Sequence, residues 1–454
     1  MEHIFRLQEA LRLAQEKNYP LLRQMPAQEN EADIAQFLEE VYSQSSPQTV
    51  VLIFRLLPKE LAAQVFSFLM GDMQAVIVSG ITDQELSGIV EELSVDDAVD
   101  MLEELPANVV KRVLKSAEPS TRQMLNRFLN YPENSAGSIM TAEFVDLRRS
   151  MTVAQAIHRI RTMGADSETI YTCYVIDEGR VLDGVVTVRE LLLARDEQLV
   201  QEVMDDHVIC AAATDDREEV ASLFSKYGFL ALPVVDAEHR LVGIVTVDDA
   251  VEVLEQEATE DFERMAAMQP SHKPYLKTSV FTLAKSRILW LLVLMISGMI
   301  TGGILGKYEE AFASLPILVT FIPMLTDTGG NAGSQSSTLV IRGMALSEIR
   351  PRDFFAVIWK EARVSFLVGA ALSAVNFVRL IITYPGNVLL ALTVAVALFV
   401  TVVVAKTLGG MLPMIAKTLK LDPAIMAAPL ITTIVDAVSL MIYFSVAQLL
   451  FGMA

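Results

Sequence analysis

One acidic residue, Asp436, lies inside a long apolar stretch near the carboxyl end of the chain. An ionisable side chain at the centre of a membrane span costs about 2.5–3.5 kcal/mol and is functional by default. Four and eight residues earlier, on the same helical face, are Thr432 and Ala428, and Pro429 frees a backbone carbonyl near them. Two such carboxylates facing each other across an axis would need a shared proton or a divalent cation. The pattern predicts a pore site for a cation at Asp436, Thr432 and Ala428.

Hydrated Mg2+ suits this set of ligands. Mg2+ sheds water reluctantly and usually keeps several water molecules, which carboxylate and backbone oxygens can hold. A pore lined by carboxylates does not by itself exclude Ca2+ or Mn2+, so the residues leave the ion open.

A second group of acids lies between positions 91 and 104. Asp96 and Asp100 are four residues apart and share a helical face, where like charges repel by a few tenths of a kcal/mol. A bound cation would relieve this repulsion, although a run of acids is also typical of a solvated helix surface. Both interpretations stand on the residues alone.

The acids at 91–104 belong to a twelve-residue repeat, whose units begin at positions 45, 57, 69, 81, 93 and 105. Most units open with an apolar residue followed by Pro, Ser or Thr, which satisfy the free N–H groups of a first helical turn. One short helix per unit, paired into hairpins of about 24 residues, predicts stacked helices with a shared core. We expect an α-helical superhelix over residues 1–131.

A duplicated α/β module follows. Residues 174–191 and 233–250 match each other with a shift of 59 residues, and each copy ends in two β-branched strands joined by a turn that contains Gly. The pair resembles two CBS domains, which we expect over residues 132–199 and 200–256.

The end of the second strand in CBS domains carries a Thr-x-x-Asp motif that binds a nucleotide ribose. Thr246 and Asp249 match this motif in the second copy, whereas the first copy has Thr187 and Glu190. The resemblance therefore implies a site for ATP at Thr246 and Asp249, while a purely structural, ion-sensing role stays open.

The charge of the chain is divided unevenly. Residues 1–270 carry 22 basic and 48 acidic residues, a net of −26, and residues 271–454 carry 14 and 8, a net of +6. The acidic part argues against nucleic acid as a partner, because phosphate binding needs positive charge. Residues 250–270 are good helix formers with no Gly and no internal Pro, which predicts an acidic connecting helix within 250–275.

Apolar stretches in the basic part are too long for a globular core and predict a helical membrane domain over 276–454. We expect five spans, at 288–305, 312–341 with an interruption, 364–383, 388–408 and 424–451. Lys and Arg precede the first span and occupy alternate loops, so the amino terminus is expected in the cytoplasm and the carboxyl terminus outside. The charged start of the chain argues against a cleaved signal peptide. The expected location is the cytoplasmic (inner) membrane.

The second of these stretches contains the polar segment TDTGGNAGSQSST, residues 326–338. Glycines and small polar side chains are costly against lipid but tolerated where helices pack closely or where backbone lines a wet cavity. The segment therefore indicates either a tight helix contact or a lining of the ion path.

The domain order, with the motifs GGNAGSQSSTLVIRG and PLITTIVDAVSLMIY, resembles the MgtE family of bacterial magnesium channels. The resemblance implies a homodimer whose pore lies between two membrane domains, with Asp436 as the pore carboxylate. It also implies Mg2+ entry that cytoplasmic Mg2+ closes by bridging acidic groups. The implied sensor carboxylates are Asp96, Asp100, Asp216, Glu218, Asp249, Glu252, Glu257, Glu260 and Asp261.

Three positions depart from the family pattern. Ala428 stands where the family often has Asn, and Gly228 stands where relatives place an acid. Asp327 matches no family position and is not included in the predicted site. Ion affinity at the first two places is therefore open, while the assignment of Asp436 is unaffected.

Two other function classes fit less well. An intramembrane metalloprotease needs ligands such as H-E-x-x-H in a span, and the histidines (His3, His158, His207, His239 and His272) all lie outside the expected spans, so no enzyme is expected. A carrier for an organic solute often has repeated membrane halves, which are not evident here. Channel or ion-coupled carrier, and transport of Co2+, Mn2+ or Ca2+, stay open.

Overall fold

The structure is a computed structural model that describes residues 9, 12–13, 16, 18–24, 30–271, 275–276, 278–308, 315–346 and 348–452. The chain divides into two compact units, residues 1–254 and 255–454. The first unit contains the helical repeat and the duplicated module, and the second contains the apolar helices.

Short helices build the start of the first unit. Their bounds are α1 Tyr19–Gln24, α2 Glu31–Gln44, α3 Pro47–Phe54, α4 Lys59–Ser67, α5 Gly71–Gly80, α6 Asp83–Glu92, α7 Val95–Glu104, α8 Ala107–Ser116 and α9 Pro119–Phe128. From α3 to α9, successive helices begin twelve residues apart, as the repeat predicts.

Helices of the repeat pack on the helix two places further along the chain. α4 contacts α6, α6 contacts α8, and α5 contacts α7, which contacts α9. The faces so covered hold a continuous core, in which the rings of Phe54 and Phe66 lie 5.9 Å apart between centroids. This is the packing of a superhelix, since no helix buries its apolar face alone. The core continues into the second α/β copy through Leu232 and Val234, so the helical repeat and that copy share apolar contacts.

The duplicated module forms two three-stranded sheets. The first has the order β1-β2-β3 and the second β4-β5-β6, each with one parallel and one antiparallel pair. The bounds are β1 Phe144–Leu147, α10 Val153–Met163, β2 Thr169–Ile176, β3 Leu182–Thr187, α11 Val188–Leu193, β4 Ala211–Ala212, α12 Arg217–Tyr227, β5 Ala231–Val235 and β6 Leu241–Thr246.

Strand register confirms the duplication. Val175 pairs with Gly184 in the first sheet, Val234 pairs with Gly243 in the second, and the register shifts just beyond both pairs. These positions differ by the 59 residues that relate the two sequences. The irregularity is thus a shared feature of the module.

A long helix, α13 Val247–Met265, begins directly after β6. It is uninterrupted, as its composition predicts, but it starts three residues before the expected segment 250–275 and ends ten residues before its end. Its first turns belong to the first unit and its remainder to the second.

The second unit is helical. Its helices are α14 Val280–Lys307, α15 Ile322–Ala345, α16 Phe354–Thr383, α17 Val388–Thr418 and α18 Ala428–Phe451, with 3-10 segments at Pro316–Phe321, Pro351–Asp353 and Pro423–Met426.

Four stretches among the described residues are long and apolar enough to cross a membrane. They are Val280–Lys307, Pro351–Thr383, Val388–Thr418 and Pro423–Phe451. α15 is not among them, because it contains the polar segment 326–338, yet its 24 residues extend about 36 Å, enough to cross a bilayer. The count of five spans is compatible with this arrangement and stays a prediction.

Glycines set the spacing of the helices around α15. A Cβ at Gly409 of α17 would collide with the carbonyl oxygen of Gly333 in α15. A Cβ at Gly329 would lie 2.8 Å from Thr401 Cγ2 of α17 and 2.9 Å from Val435 Cγ1 of α18. Small residues let helix backbones approach closely within a membrane. The polar segment is therefore also a packing surface, one of the two roles its composition indicates.

Candidate cation sites

Asp96 lies in the first turn of α7 and is only 8% exposed. The Ser94 side chain and the N–H of Asp97 donate to its carboxylate, but its Oδ1 atom is buried with no hydrogen-bond partner in the described part of the chain. A buried carboxylate oxygen without a partner is costly unless a proton or a cation meets it. This atom makes Asp96 a candidate cation ligand in the first unit.

The first turns of α13 bring further acids to Asp96. Asp249 Oδ2 accepts a hydrogen bond from the Thr246 hydroxyl at 2.5 Å, and Asp248 and Asp249 both act electrostatically with Asp96. One turn later, Glu252 acts on Asp97 and on Asp100, which lies exposed at the rim. The structure thus brings together four of the predicted sensor residues: Asp96, Asp100, Asp249 and Glu252.

Two acids of the first α/β copy, Glu143 and Glu168, join this group and were missed by sequence reasoning. Both act electrostatically with Asp96 and Asp97. The Glu143 carboxylate accepts a hydrogen bond from the N–H of Val95 at the start of α7. We call the eight residues the acidic cluster: Asp96, Asp97, Asp100, Glu143, Glu168, Asp248, Asp249 and Glu252.

A sequence signal for these two residues existed. Glu143 directly precedes β1 and Glu168 directly precedes β2, and the two strands are parallel, with Phe144 paired to Thr169. Neighbouring parallel strands begin at the same edge of a sheet, so acids before both strands must lie close together. The N–H of Glu168 donates to the carbonyl oxygen of Glu143 at 2.8 Å.

Crowding in the acidic cluster changes its proton affinity. Burial, together with repulsion from the Asp96 carboxylate, raises the pKa of Glu143 and of Asp249 to about 8. The same two causes raise the pKa of Asp97 to about 6. Burial, opposed by hydrogen bonds from Ser94 and backbone, raises the pKa of Asp96, with Asp248 adding to the rise. Folding thus places these carboxylates where their charged form is unfavourable unless a proton or a cation neutralises it.

The ligand chemistry of the acidic cluster fits a hard divalent cation. It offers carboxylate oxygens, the ligands that Mg2+ and Ca2+ take, and several acids lie at its solvent-exposed rim. Mg2+ keeps part of its water, so the rim acids would contact a bound ion through water and Asp96 could contact it directly.

Asp216 and Glu218 lie at the start of α12. Asp216 is exposed, and its Oδ1 accepts the Glu218 N–H at 2.9 Å, so it caps the helix. Gly228 ends the same helix with φ of 70°, a left-handed conformation that favours glycine. This backbone conformation accounts for the Gly at position 228.

The remaining predicted sensor acids lie on the last turns of α13, in the second unit. Glu260 forms an ion pair with Arg264, which also pairs with Asp422. Loss of hydration, reinforced by Asp422 and Glu257, raises the pKa of Asp261 to about 6. A second, smaller group of carboxylates therefore surrounds the segment that leads into α18.

Met265 anchors this end of α13. It packs against Ile341, Ala424 and Ala427, and the last two belong to the short connection before α18. The Ser337 hydroxyl of α15 donates to the Met426 carbonyl oxygen at 2.6 Å in the same connection. Movement of the α13 end would therefore act directly on the start of α18.

The predicted pore residues lie on α18. Thr432 and Asp436 are one turn apart and half-buried, and Asp436 Oδ1 has no hydrogen-bond partner within the described ranges. Ala428 begins α18, but its side chain lies outside the described residues. A Cβ at Gly330 would lie 2.9 Å from Thr432 Cγ2, so α15 covers one side of this stripe.

The two strand-end motifs have the same local geometry. Glu190 Oε2 accepts from the Thr187 hydroxyl at 2.7 Å, as Asp249 accepts from Thr246. In each copy the carboxylate caps the following helix. Only the second copy combines this cap with the acidic cluster.

Known families match three parts of the chain. These are the MgtE intracellular N domain over residues 29–134, CBS domains over 136–197 and 200–256, and the MgtE divalent cation transporter family over 322–446. The magnesium transporter MgtE of Thermus thermophilus is 38% identical over 448 residues, which is 98% of this chain and 97% of that protein. The chain belongs to the MgtE family.

Other MgtE proteins agree. The magnesium transporter MgtE of Bacillus subtilis is 35% identical, covering 90% of this chain and 92% of its own length. A crystal structure of the cytosolic domain of an Mg2+ channel MgtE in complex with ATP has 38% identity, a TM-score of 0.51, and covers 54% of this chain and 98% of its own. The expected family and the multidomain fold class are thereby confirmed, together with a multi-pass membrane protein.

The raised pKa values predict an unusual pH dependence of stability for a fragment that comprises residues 1–256. For Asp97, Glu143 and Asp249 they rise from 3.8, 4.5 and 3.8 to about 6, 8 and 8. The folded state then holds more protons than the unfolded chain, so stability falls as pH rises from about 4 to 8. In EDTA we expect the melting temperature to drop by roughly 5–10 °C between pH 5.5 and 8.

Calorimetry with and without Mg2+ checks this. Saturating Mg2+ should remove most of the drop, because the cation replaces the protons. Glu91→Gln, at an exposed acid outside the acidic cluster, should leave both profiles unchanged. A melting temperature in EDTA that is constant or rises over this range contradicts the prediction.

Proposed function

We propose that this protein admits Mg2+ through the cytoplasmic membrane by a pore between two copies of the chain, and that Mg2+ bound to its acidic cytoplasmic parts closes the pore. The observation that carries the proposal is the partnerless Oδ1 of Asp436 inside the 24-residue apolar helix α18. Membership of the MgtE family, whose relatives in Thermus thermophilus and Bacillus subtilis are magnesium transporters, supports Mg2+ as substrate.

The pore stripe comprises Asp436, Thr432 and the start of α18 at Ala428. A half-buried carboxylate at membrane depth needs a cation, and a second copy facing it would double the charge. Mg2+ that retains its water can contact these facing carboxylates through the water, at a lower dehydration cost than direct coordination. With Ala in place of a side-chain amide at 428, backbone carbonyls supply the polar atoms at the pore entrance.

The proposed orientation follows the distribution of basic residues. The loop between α15 and α16 carries Arg350 and Arg352, and the end of α17 carries Lys417 and Lys420. The positive-inside rule places these ends, together with the acidic unit, in the cytoplasm. Cytoplasmic Mg2+ then reaches the acidic cluster without crossing the membrane.

Closure follows from charge. Without Mg2+ the carboxylates of the acidic cluster repel one another and favour separation of the helical repeat from the α/β module. Bound Mg2+ favours the docked arrangement, and several weak sites together supply the population shift. Through α13, whose end packs by Met265 against Ala427, docking would hold the start of α18 in the closed position.

Neutralising the pore carboxylate tests the path. In proteoliposomes, Asp436→Asn should lower Mg2+ influx at least about ten-fold, since loss of about 1.4 kcal/mol of ion stabilisation already gives that factor. Glu348→Gln, an exposed acid in the loop after α15, is the matched control and should conduct like wild type. Wild-type influx in Asp436→Asn would place the pore elsewhere.

Neutralising the buried sensor acid tests closure. Asp96→Asn should leave influx at low Mg2+ unchanged and raise, about five-fold, the Mg2+ concentration that half-inhibits influx from the acidic face. Glu91→Gln should keep wild-type inhibition, because it lies outside the acidic cluster. Unchanged inhibition in Asp96→Asn would argue against the acidic cluster as sensor.

ATP is a second candidate ligand, at Thr246 and Asp249. The support is the ATP complex of a related cytosolic domain and the Thr-x-x-Asp geometry of the second copy. We expect saturable ATP binding in calorimetric titration of fragment 1–256, weakened about five-fold or more by Thr246→Val but not by Thr187→Val in the first copy. Absence of saturable binding at millimolar ATP would exclude this ligand.

A further inference from the structure

α15 carries a line of polar side chains on one face. Asp327, Asn331 and Gln335 are spaced by four residues and are all exposed within the second unit. The contacts of α15 with neighbouring helices, through Gly329, Gly330 and Gly333, are buried. The polar line is thus a surface of the unit and is not used to pack its own helices.

This line lies at membrane depth. The buried glycines of α15 touch Thr401 and Ala405 in the middle of α17 and Ile431 and Val435 in α18, both candidate spans. An exposed carboxylate at that depth is costly against lipid and marks water, an ion path or a second subunit.

Glycine contacts fix the register of α15 on α18. A Cβ at Gly333 would touch Ile431, at Gly330 Thr432, and at Gly329 both Val435 and Ser439. As the residue number decreases along α15, the number of the residue it contacts in α18 increases, so the two helices are antiparallel.

Asp327 therefore lies level with Asp436. It is three residues, nearly one turn, before Gly330, and Asp436 is one turn after Thr432, which Gly330 touches. The two carboxylates also act electrostatically on each other. Within the described ranges Asp327 forms no ion pair within 4.0 Å, and the Arg379 guanidinium donates to Met324 Sδ at 3.6 Å.

We propose that Asp327 is a second pore carboxylate, which with Asp436 forms the site that selects and holds hydrated Mg2+. The inference rests on the proposed pore. In a dimer it would give four carboxylates at one level, with the amides of Asn331 and Gln335 continuing the path along α15. A hydrated divalent cation can contact such a wide ring through its water.

Transport kinetics test the role of Asp327. In proteoliposomes, Asp327→Asn should raise the half-saturating Mg2+ concentration at least five-fold, and Asp327→Glu should stay within two-fold of wild type. Glu348→Gln, another acid of the same unit, should also stay within two-fold. Half-saturation in Asp327→Asn within two-fold of wild type overturns the inference.

Asp436→Asn in the same assay separates the two proposals. Loss of influx there, with wild-type kinetics in Asp327→Asn, overturns this inference alone and leaves the pore at Asp436. Wild-type influx in Asp436→Asn overturns the proposed pore, and with it the ring of four carboxylates.

Chemical restoration of the charge separates charge from folding. Asp327→Cys is made in a chain carrying Cys173→Ser and Cys210→Ser, so that it has one thiol. A sulfonate-bearing thiol reagent should restore Mg2+ influx towards wild type, whereas a neutral reagent of similar size should not. Equal effects of both reagents, or no reaction from the aqueous side, overturn the inference.

Discussion

Repulsion between carboxylates held out of water is the constraint on which the remaining structure depends. Packing places Asp96, with a partnerless oxygen, beside Asp249 and Glu143, and the pKa values of all three are raised. Isolated, such an arrangement opposes the fold that creates it. Binding of a divalent cation would turn the electrostatic contribution of these carboxylates from destabilising to stabilising, because attraction to the cation would replace their mutual repulsion. Such a fold would be strained without a bound ion and relaxed with one, which is the property that the proposed sensor requires.

Rigid elements are required for that strain to be transmitted. α7 shares a continuous core with the second α/β copy, and the Glu143 carboxylate accepts the N–H of Val95 at its start. The acids of α13 stand on a single helix whose far end packs by Met265 on Ala427. α13 is one uninterrupted helix over this length, and the proposed closure depends on that continuity, which a flexible linker would not provide.

Periodic features could be predicted from the sequence, and contacts between distant segments could not. Helices begin twelve residues apart in the repeat, and the two α/β copies are related by a shift of 59 residues. Both features follow from local sequence patterns that each repeat contains by itself. Glu143 and Glu168 were missed because their significance depends on which strands are neighbours. The sequence could not predict that Asp327 lies level with Asp436, because the alignment of α15 with α18 is set by the packing of the glycines of α15. Asp216 matched a motif, but in the structure it caps α12.

The low apolarity of α15 has a physical meaning. It falls outside the helices apolar enough to span a membrane, although it contacts α17 and α18, which are among them. Its glycines are buried by those neighbours, so they do not account for exposed Asp327, Asn331 and Gln335. A helix at this depth whose exposed face is polar must have that face covered by protein or water. Within the described residues, one copy of the chain leaves this face exposed. In the proposed dimer, a second copy with water between the two would cover it, and the polarity that obscures a span in the sequence would then line the ion path.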